Sequence, residues 1–155
     1  MKIFFYIFLS ILFFAENSFS AGLKNALDIS ASGMQAQAER VKIITENIAN
    51  TDTTGISPND TPYRRKIIVF QNVKDAKTKA NLVKVRKIDT DKSDFKLVYM
   101  PEHPAANEEG YVKFPNVDKN LESIDLKEAQ RAYEANITAI ENTKQMIDRS
   151  LDLLR

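Results

Sequence analysis

Both ends of the chain carry apolar residues at alternating steps of three and four, which commits each end to a helix that needs a helical partner. Between Leu23 and Asn50 the row is Leu27, Ala31, Met34, Ala38, Val41, Thr45 and Ile48. Between about Leu121 and Leu154 it is Leu126, Ala129, Tyr133, Asn136, Ile140, Thr143, Ile147, Ser150 and Leu154. A stripe recurring every 3.5 residues or so stays on one side of a slightly underwound helix and must be covered by another helix. The first helix is expected from near Gly22 to near Asn50, with Gly33 as its weak point. The second is expected to start between Asp118 and Asp125. Asp118, Asn120 and Asp125 can each cap it, and Asp125 with Glu128 has a capping-box-like spacing.

The middle of the chain changes period. Thr51 to Pro62 is dense in turn formers, and Pro58 and Pro62 deny helix continuation, so this stretch reads as a loop. Ile67–Phe70 with Val73, then Leu82–Ile88, Phe95–Tyr99 and Tyr111–Phe114 read as strands. Residues 74–81 and 89–94 read as hairpin connections. The expectation is an α+β fold: long N- and C-terminal helices pairing as a coiled-coil-like unit, with a small antiparallel sheet of four strands inserted between them. The boundaries are 1–20 for a signal-like hydrophobic segment, 21–50 plus 118–155 for a terminal helical assembly domain, and 51–117 for the loop and β insertion.

Residues 1–20 stand apart. Lys2 precedes an apolar run from Ile3 to Phe14, and small residues follow at Ser18 and Ser20. That is the layout of a secretory signal, and the run is shorter than the 20 or so residues of a membrane span. Cleaved signal, retained membrane anchor and misassigned translation start are the three readings, the first preferred.

The chain is poor in catalytic material. It has no cysteine, one histidine (His103), four glycines, no tryptophan and a formal net charge of +1. Thiolate metal sites are excluded, a histidine-based metal or general-base set is missing, and there is no electrostatic case for nucleic acid. Asp89 to Asp94 begins like a calcium loop but places Asp94 where Gly is required and Met100 where the bidentate Glu belongs. His103, between prolines, reads as a turn residue. Arg64-Arg65-Lys66 reads as a solvated or interface-pairing face, and Asn136-Ile-Thr138 as a chance glycosylation triplet within a helix. No nucleophile–base pair is visible. No enzyme, cofactor, metal or small-molecule substrate is expected.

Two readings of the helices remain: a closed hairpin, or subunits that cover one another. Leu23, Ile29, Ile43, Ile44, Ile137, Met146 and Leu151 lie off the main rows, and pairing along one seam leaves them wet. Contiguous exposed apolar surface marks a partner site, which favours assembly. Asn136, Thr143 and Ser150 on the seam suit a register device, or else face solvent.

The residues also carry a resemblance. Ile29-Ser-Ala-Ser-Gly-Met-Gln-Ala-Gln37, Arg40, Asn47-Ile-Ala-Asn50 and Thr53-Thr-Gly55 resemble the amino-terminal signature of bacterial flagellar axial proteins. Pro62-Tyr-Arg-Arg-Lys-Ile-Ile-Val-Phe70 narrows this to the proximal-rod, FlgC type of basal-body rod protein. His103-Pro104, Gly110 to Val117, Ala132-Tyr-Glu-Ala-Asn136 and Asn142 to Met146 agree with it. The resemblance implies a structural subunit of the rod that crosses the periplasm. Its terminal helices would pack with those of neighbours, and the β insertion would lie outside. It implies as partners further copies of the chain, other rod proteins, the rod–ring adaptor and the membrane ring. By position, Asn47 and Asn50 end the first helix and Gly55 turns the chain outward. Assembly would run through Leu27, Ala31, Met34, Ala38, Val41, Ile48, Asn47 and Asn50 on one helix. On the other it would run through Leu126, Ala129, Tyr133, Asn136, Ile140, Ile147 and Leu154. Two departures stand out: such proteins leave by the flagellar export channel without a cleaved signal, and Ser123 and Leu126 replace the family's more usual methionines. The contrasting reading is a secreted or membrane-tethered periplasmic binding module with a closed helical hairpin.

Overall fold

A computed structural model describes the backbone of residues 2–153 and the side chains of residues 22–153. Helix α1 runs Lys2–Ala49, strands β1 Lys66–Lys74, β2 Asn81–Thr90, β3 Lys96–Tyr99 and β4 Tyr111–Phe114 follow, and helix α2 runs Lys119–Asp152. The fold is α+β, with the two long helices packed on each other and the strands inserted between them in sequence. Helix α1 does not begin at Gly22 but continues through it, because a single glycine weakens a helix without ending it. The side chains of the signal-like segment 1–20, and Leu154, lie outside the described residues.

The helices run antiparallel. Asn47 meets Glu122, Arg40 meets Asp125 and Glu128, and residue 33 meets Asn136, so positions rise on one helix as they fall on the other. Asp118 caps α2, accepting from the backbone N–H of Asn120 at 2.9 Å and Leu121 at 3.2 Å. The capping-box spacing at Asp125 and Glu128 goes unused; both side chains instead pair with Arg40, at 3.7 and 3.6 Å.

The expected single sheet of four strands is instead two sheets of two, β1–β2 and β3–β4, both antiparallel. The segment after β2 is held by side chains. Arg64 Nη1 donates to the carbonyls of Asp91 and Ser93, each at 2.9 Å, and Asn116 Nδ2 donates to Asp91 O at 3.2 Å and to Ser93 Oγ at 2.8 Å. After Thr90 the chain therefore passes through 91–95 from one sheet to the next instead of turning back as a hairpin. The β1–β2 hairpin lies lengthwise along α1. Lys66 at its base accepts from Asn47, the Val83 N–H donates to Ser32 Oγ at 3.1 Å, and Thr78 in its turn accepts from Asn25. A bulge opposes Val69 to Lys87 and Phe70 to Val85, leaving Arg86 unpaired in the ladder.

Candidate assembly interface

The α2 row faces α1. Ala129 and Thr143 are buried, and Leu126, Tyr133, Asn136, Ile140, Ile147 and Ser150 are half-buried. The α1 row does not face back. Leu27, Ala31, Met34, Val41 and Ile48 are only half-buried and Ala38 and Thr45 are exposed, while the buried positions are Ser32, Ala36, Ile43, Ile44 and Asn47. Helix α1 therefore turns Gly33, Arg40 and Asn47 toward α2, and Ile43 and Ile44, expected to be wet, are core. The reason is close approach. A Cβ built at Gly33 would fall 2.6 Å from Asn136 Oδ1, so the missing side chain is the notch that receives Asn136. Ser32 and Ala36 lie against the β1–β2 hairpin instead: the Val83 N–H donates to Ser32 Oγ, and Ala36 shares a groove with Val83 and Val85.

Polar side chains on the α2 seam are satisfied within their own helix. Asn136 Nδ2 donates to Ala132 O and Thr143 Oγ1 to Ala139 O, each at 2.7 Å, and Ser150 Oγ donates to Met146 O at 2.7 Å. The α1 row is only partly covered within the chain. Ala38, Val41 and Tyr133 line one shallow groove between the helices, together with Gln130 and Glu134. This open, concave, partly apolar strip is the candidate surface for a neighbouring helix.

Where α1 ends, the chain builds a buried polar junction. Asn47 and Glu122 are each 1% exposed. Asn47 Nδ2 donates to Lys66 O at 2.9 Å and to Glu122 Oε2 at 3.0 Å; its Oδ1 accepts from Tyr63 Oη and from the Lys66 N–H, both at 2.9 Å. Both amide hydrogens and both acceptor sites are used, which only an amide side chain can do. Glu122 Oε1 accepts from Arg65 Nε at 2.6 Å, so the buried carboxylate is paired. Arg65 also lies 3.6 Å from Asp91 and 3.8 Å from Asp125, and its N–H donates to Asn116 Oδ1 at 2.8 Å. Lys66 Nζ pairs with Glu46. The phenol of Tyr63 is pushed up to about 12, first by burial and then by the negative charges of Glu46 and Glu122.

The junction ties the end of α1, the start of β1 and the first turn of α2 together at a fixed angle. Arg64, Arg65 and Lys66 are accordingly not a solvated basic face. Arg64 sits 4.1 Å from the Phe95 ring centroid, and the other two point into the junction. Asn50 closes α1 as its position suggested, though without left-handed backbone. Its Nδ2 donates to Glu46 O at 2.8 Å, and among the described non-glycine residues only Lys79 has positive φ. Gly55 is likewise not left-handed; a Cβ there would meet the Asp60 Cβ at 2.7 Å, in a turn that Asp60 closes by accepting from the Ile56 and Ser57 N–H groups. His103 sits in a turn, its Nδ1 accepting from the Ala105 N–H.

Sequence comparison places this architecture among known proteins. Residues 27–55 match the family model "Flagella basal body rod protein", and residues 108–153 match "Flagellar basal body rod FlgEFG protein C-terminal". The chain is 41% identical over 133 residues to "Flagellar basal-body rod protein FlgC" of Agrobacterium fabrum, covering 86% of this chain and 96% of that one. It is 40% identical to the protein of that name in Bacillus subtilis (83% of this chain, 96% of that one) and 37% to the one in Escherichia coli (84% and 97%). The contrasting reading as a periplasmic binding module has no support among these relatives.

Proposed function

This chain belongs to the FlgC-type flagellar basal-body rod proteins, and from that premise we propose that it is a non-enzymatic structural subunit of the proximal rod. Neighbouring subunits cover the α1 row of Leu27, Ala31, Met34, Ala38, Val41 and Ile48, and the terminal helices, residues 21–50 and 118–155, form the wall of the rod. The single observation carrying this reading is that row, left half-exposed because α1 meets α2 through Gly33, Arg40 and Asn47. An apolar strip along a helix pair is stable in water once another helix fills it. Copies of the chain and other rod proteins supply those helices. The rod–ring adaptor and the membrane ring are the further partners, and the periplasm is the compartment. The segment 1–20 acts at export and is absent from the wall.

Ala38→Asp tests the reading, because Ala38 is exposed in the single chain and a carboxylate there stays solvated until a neighbour covers it. In cells relying on this variant, rods are expected to lack the chain, since assembly would bury an unpaired carboxylate. Incorporation at the normal level would overturn the assignment of this face.

A further inference from the structure

The formal charge of +1 conceals a strong separation along the chain. Residues 66–90, the β1–β2 hairpin, hold seven Lys and Arg against two Asp, a net of +5. Residues 96–114, the β3–β4 hairpin, hold Glu102, Glu108 and Glu109, all in the connection, against Lys96 and Lys113 on the strands, a net of −1. Those three glutamates are exposed, and so are Lys74, Lys77, Lys79 and Lys84 at the free end of the hairpin. Among the described residues none of the seven forms an ion pair.

The two patches lie far apart: the hairpin turn is level with Asn25, midway along α1, and the β3–β4 connection is near the loop that follows Ala49. There Ala105 and Tyr111 share a pocket with Gly55, Pro58 and Asp60. From Asn25 to Ala49 the helix rises about 36 Å. Intramolecular neutralisation over that distance is negligible, because salt screens exposed charges within roughly 10 Å. The acidic patch also shows the apolar and aromatic surface that protein contacts use. Leu97 is 62% and Tyr99 64% exposed, and Tyr99 meets Tyr111 edge to face at 5.4 Å between ring centroids.

We propose that the basic hairpin end of one copy docks on the acidic β3–β4 connection of the next copy. Lysine ammonium groups meet Glu102, Glu108 and Glu109, with their stems against the exposed tyrosine rings. The occupant is a second copy because this chain itself carries a matching anionic patch. Two different patches that cannot meet within one chain give a head-to-tail contact that propagates without closing into a dimer. The inference rests on the rod-subunit reading and adds a polar contact, outside the helical wall, that sets how successive copies are spaced.

The test is charge exchange in cells whose only copy of the chain is the variant, with the chain quantified in isolated basal bodies. Lys74→Glu/Lys77→Glu/Lys84→Glu and, separately, Glu102→Lys/Glu108→Lys/Glu109→Lys are each expected to lower incorporation about tenfold or more, because each sets like charges against like. The chain carrying all six substitutions is expected to recover to within about twofold of wild type, since both signs are exchanged together. Lys77→Gln/Lys84→Gln, which deletes charge without reversing it, is expected to lose about threefold. Unchanged incorporation of either triple variant overturns the proposal. So does failure of the six-fold variant to recover while its thermal melt matches wild type; the hairpin's partner would then be another protein or an anionic surface. Loss with Ala38→Asp alongside normal charge variants sinks this contact and leaves the rod-subunit reading standing, whereas normal incorporation of all of them sinks both.

Discussion

Asn47→Ala removes the centre of the buried junction in one step. Four hydrogen bonds disappear: to Lys66 O, to Glu122 Oε2, from Tyr63 Oη and from the Lys66 N–H, at 2.9 to 3.0 Å. Tyr63 is half-buried and water can replace its partner, so it adds little. The Glu122 oxygen and the two Lys66 backbone groups bear the loss. At about 1–2 kcal/mol for each group left unpaired, allowing for partial water access at Lys66, the cost is about 3–6 kcal/mol. Set against the 5–15 kcal/mol or so by which domains are stable, this is a large fraction. Urea denaturation followed by circular dichroism measures it, with two controls. Tyr63→Phe should cost about 1 kcal/mol, because Asn47 Oδ1 keeps the Lys66 N–H. Thr45→Ala, whose only side-chain bond is to Val41 O on an exposed turn of helix, should stay within about 0.5 kcal/mol of wild type. An Asn47→Ala midpoint shift no larger than that of Tyr63→Phe would refute the junction as the tie between helices and β insertion.

Three other outcomes are expected. Gly33→Ala should push the Asn136 amide aside, so that its better helix propensity is offset and stability changes by no more than about 1 kcal/mol; with Asn136→Ala added, the gain should appear, as thermal melts will show. Spectrophotometric titration near 295 nm should find one tyrosine that ionises only at about pH 12. Its folded value is raised, so the stability it contributes is whole below pH 10 or so and is lost as pH rises from there. At the acid end, Asp118 is held below the ordinary carboxylate range by the Leu121 and then the Asn120 N–H. Its contribution is therefore whole above pH 4 or so and lost as pH falls through the lower folded value, and Asp118→Asn should flatten the acid limb of a stability–pH curve.

Much of this was legible in the residues, and the misses have physical causes. The α2 row, the Asp118 cap and the four strand segments follow from periodicity and local hydrogen bonding. The inward face of α1 does not. Ranking by apolar content selects Leu27, Met34 and Val41, but the close approach to α2 is made at Gly33, whose value is its lack of bulk, while Ser32 and Ala36 turn to the hairpin. Recognising that requires knowing that Asn136 arrives at Gly33. The junction was equally hidden, because Asn47 and Glu122 are 75 residues apart, and the motif that contains Asn47 does not reveal Glu122 as its partner. The split into two sheets depends on Arg64 and Asn116 reaching the carbonyls after β2. A basic cluster in sequence does not announce that it points inward.

The chain contains no cysteine, so a single introduced thiol reports one position without ambiguity. The central claim, that the open α1 row becomes covered by neighbours, is tested by the maleimide reactivity of Ala38→Cys in the purified chain and in isolated basal bodies, with Asn59→Cys on the outer loop as reference. The account predicts that Ala38→Cys reacts freely in the isolated chain and is protected about tenfold or more in the rod, as a buried thiol is, while Asn59→Cys reacts in both. Equal labelling of Ala38→Cys in the two states would contradict it.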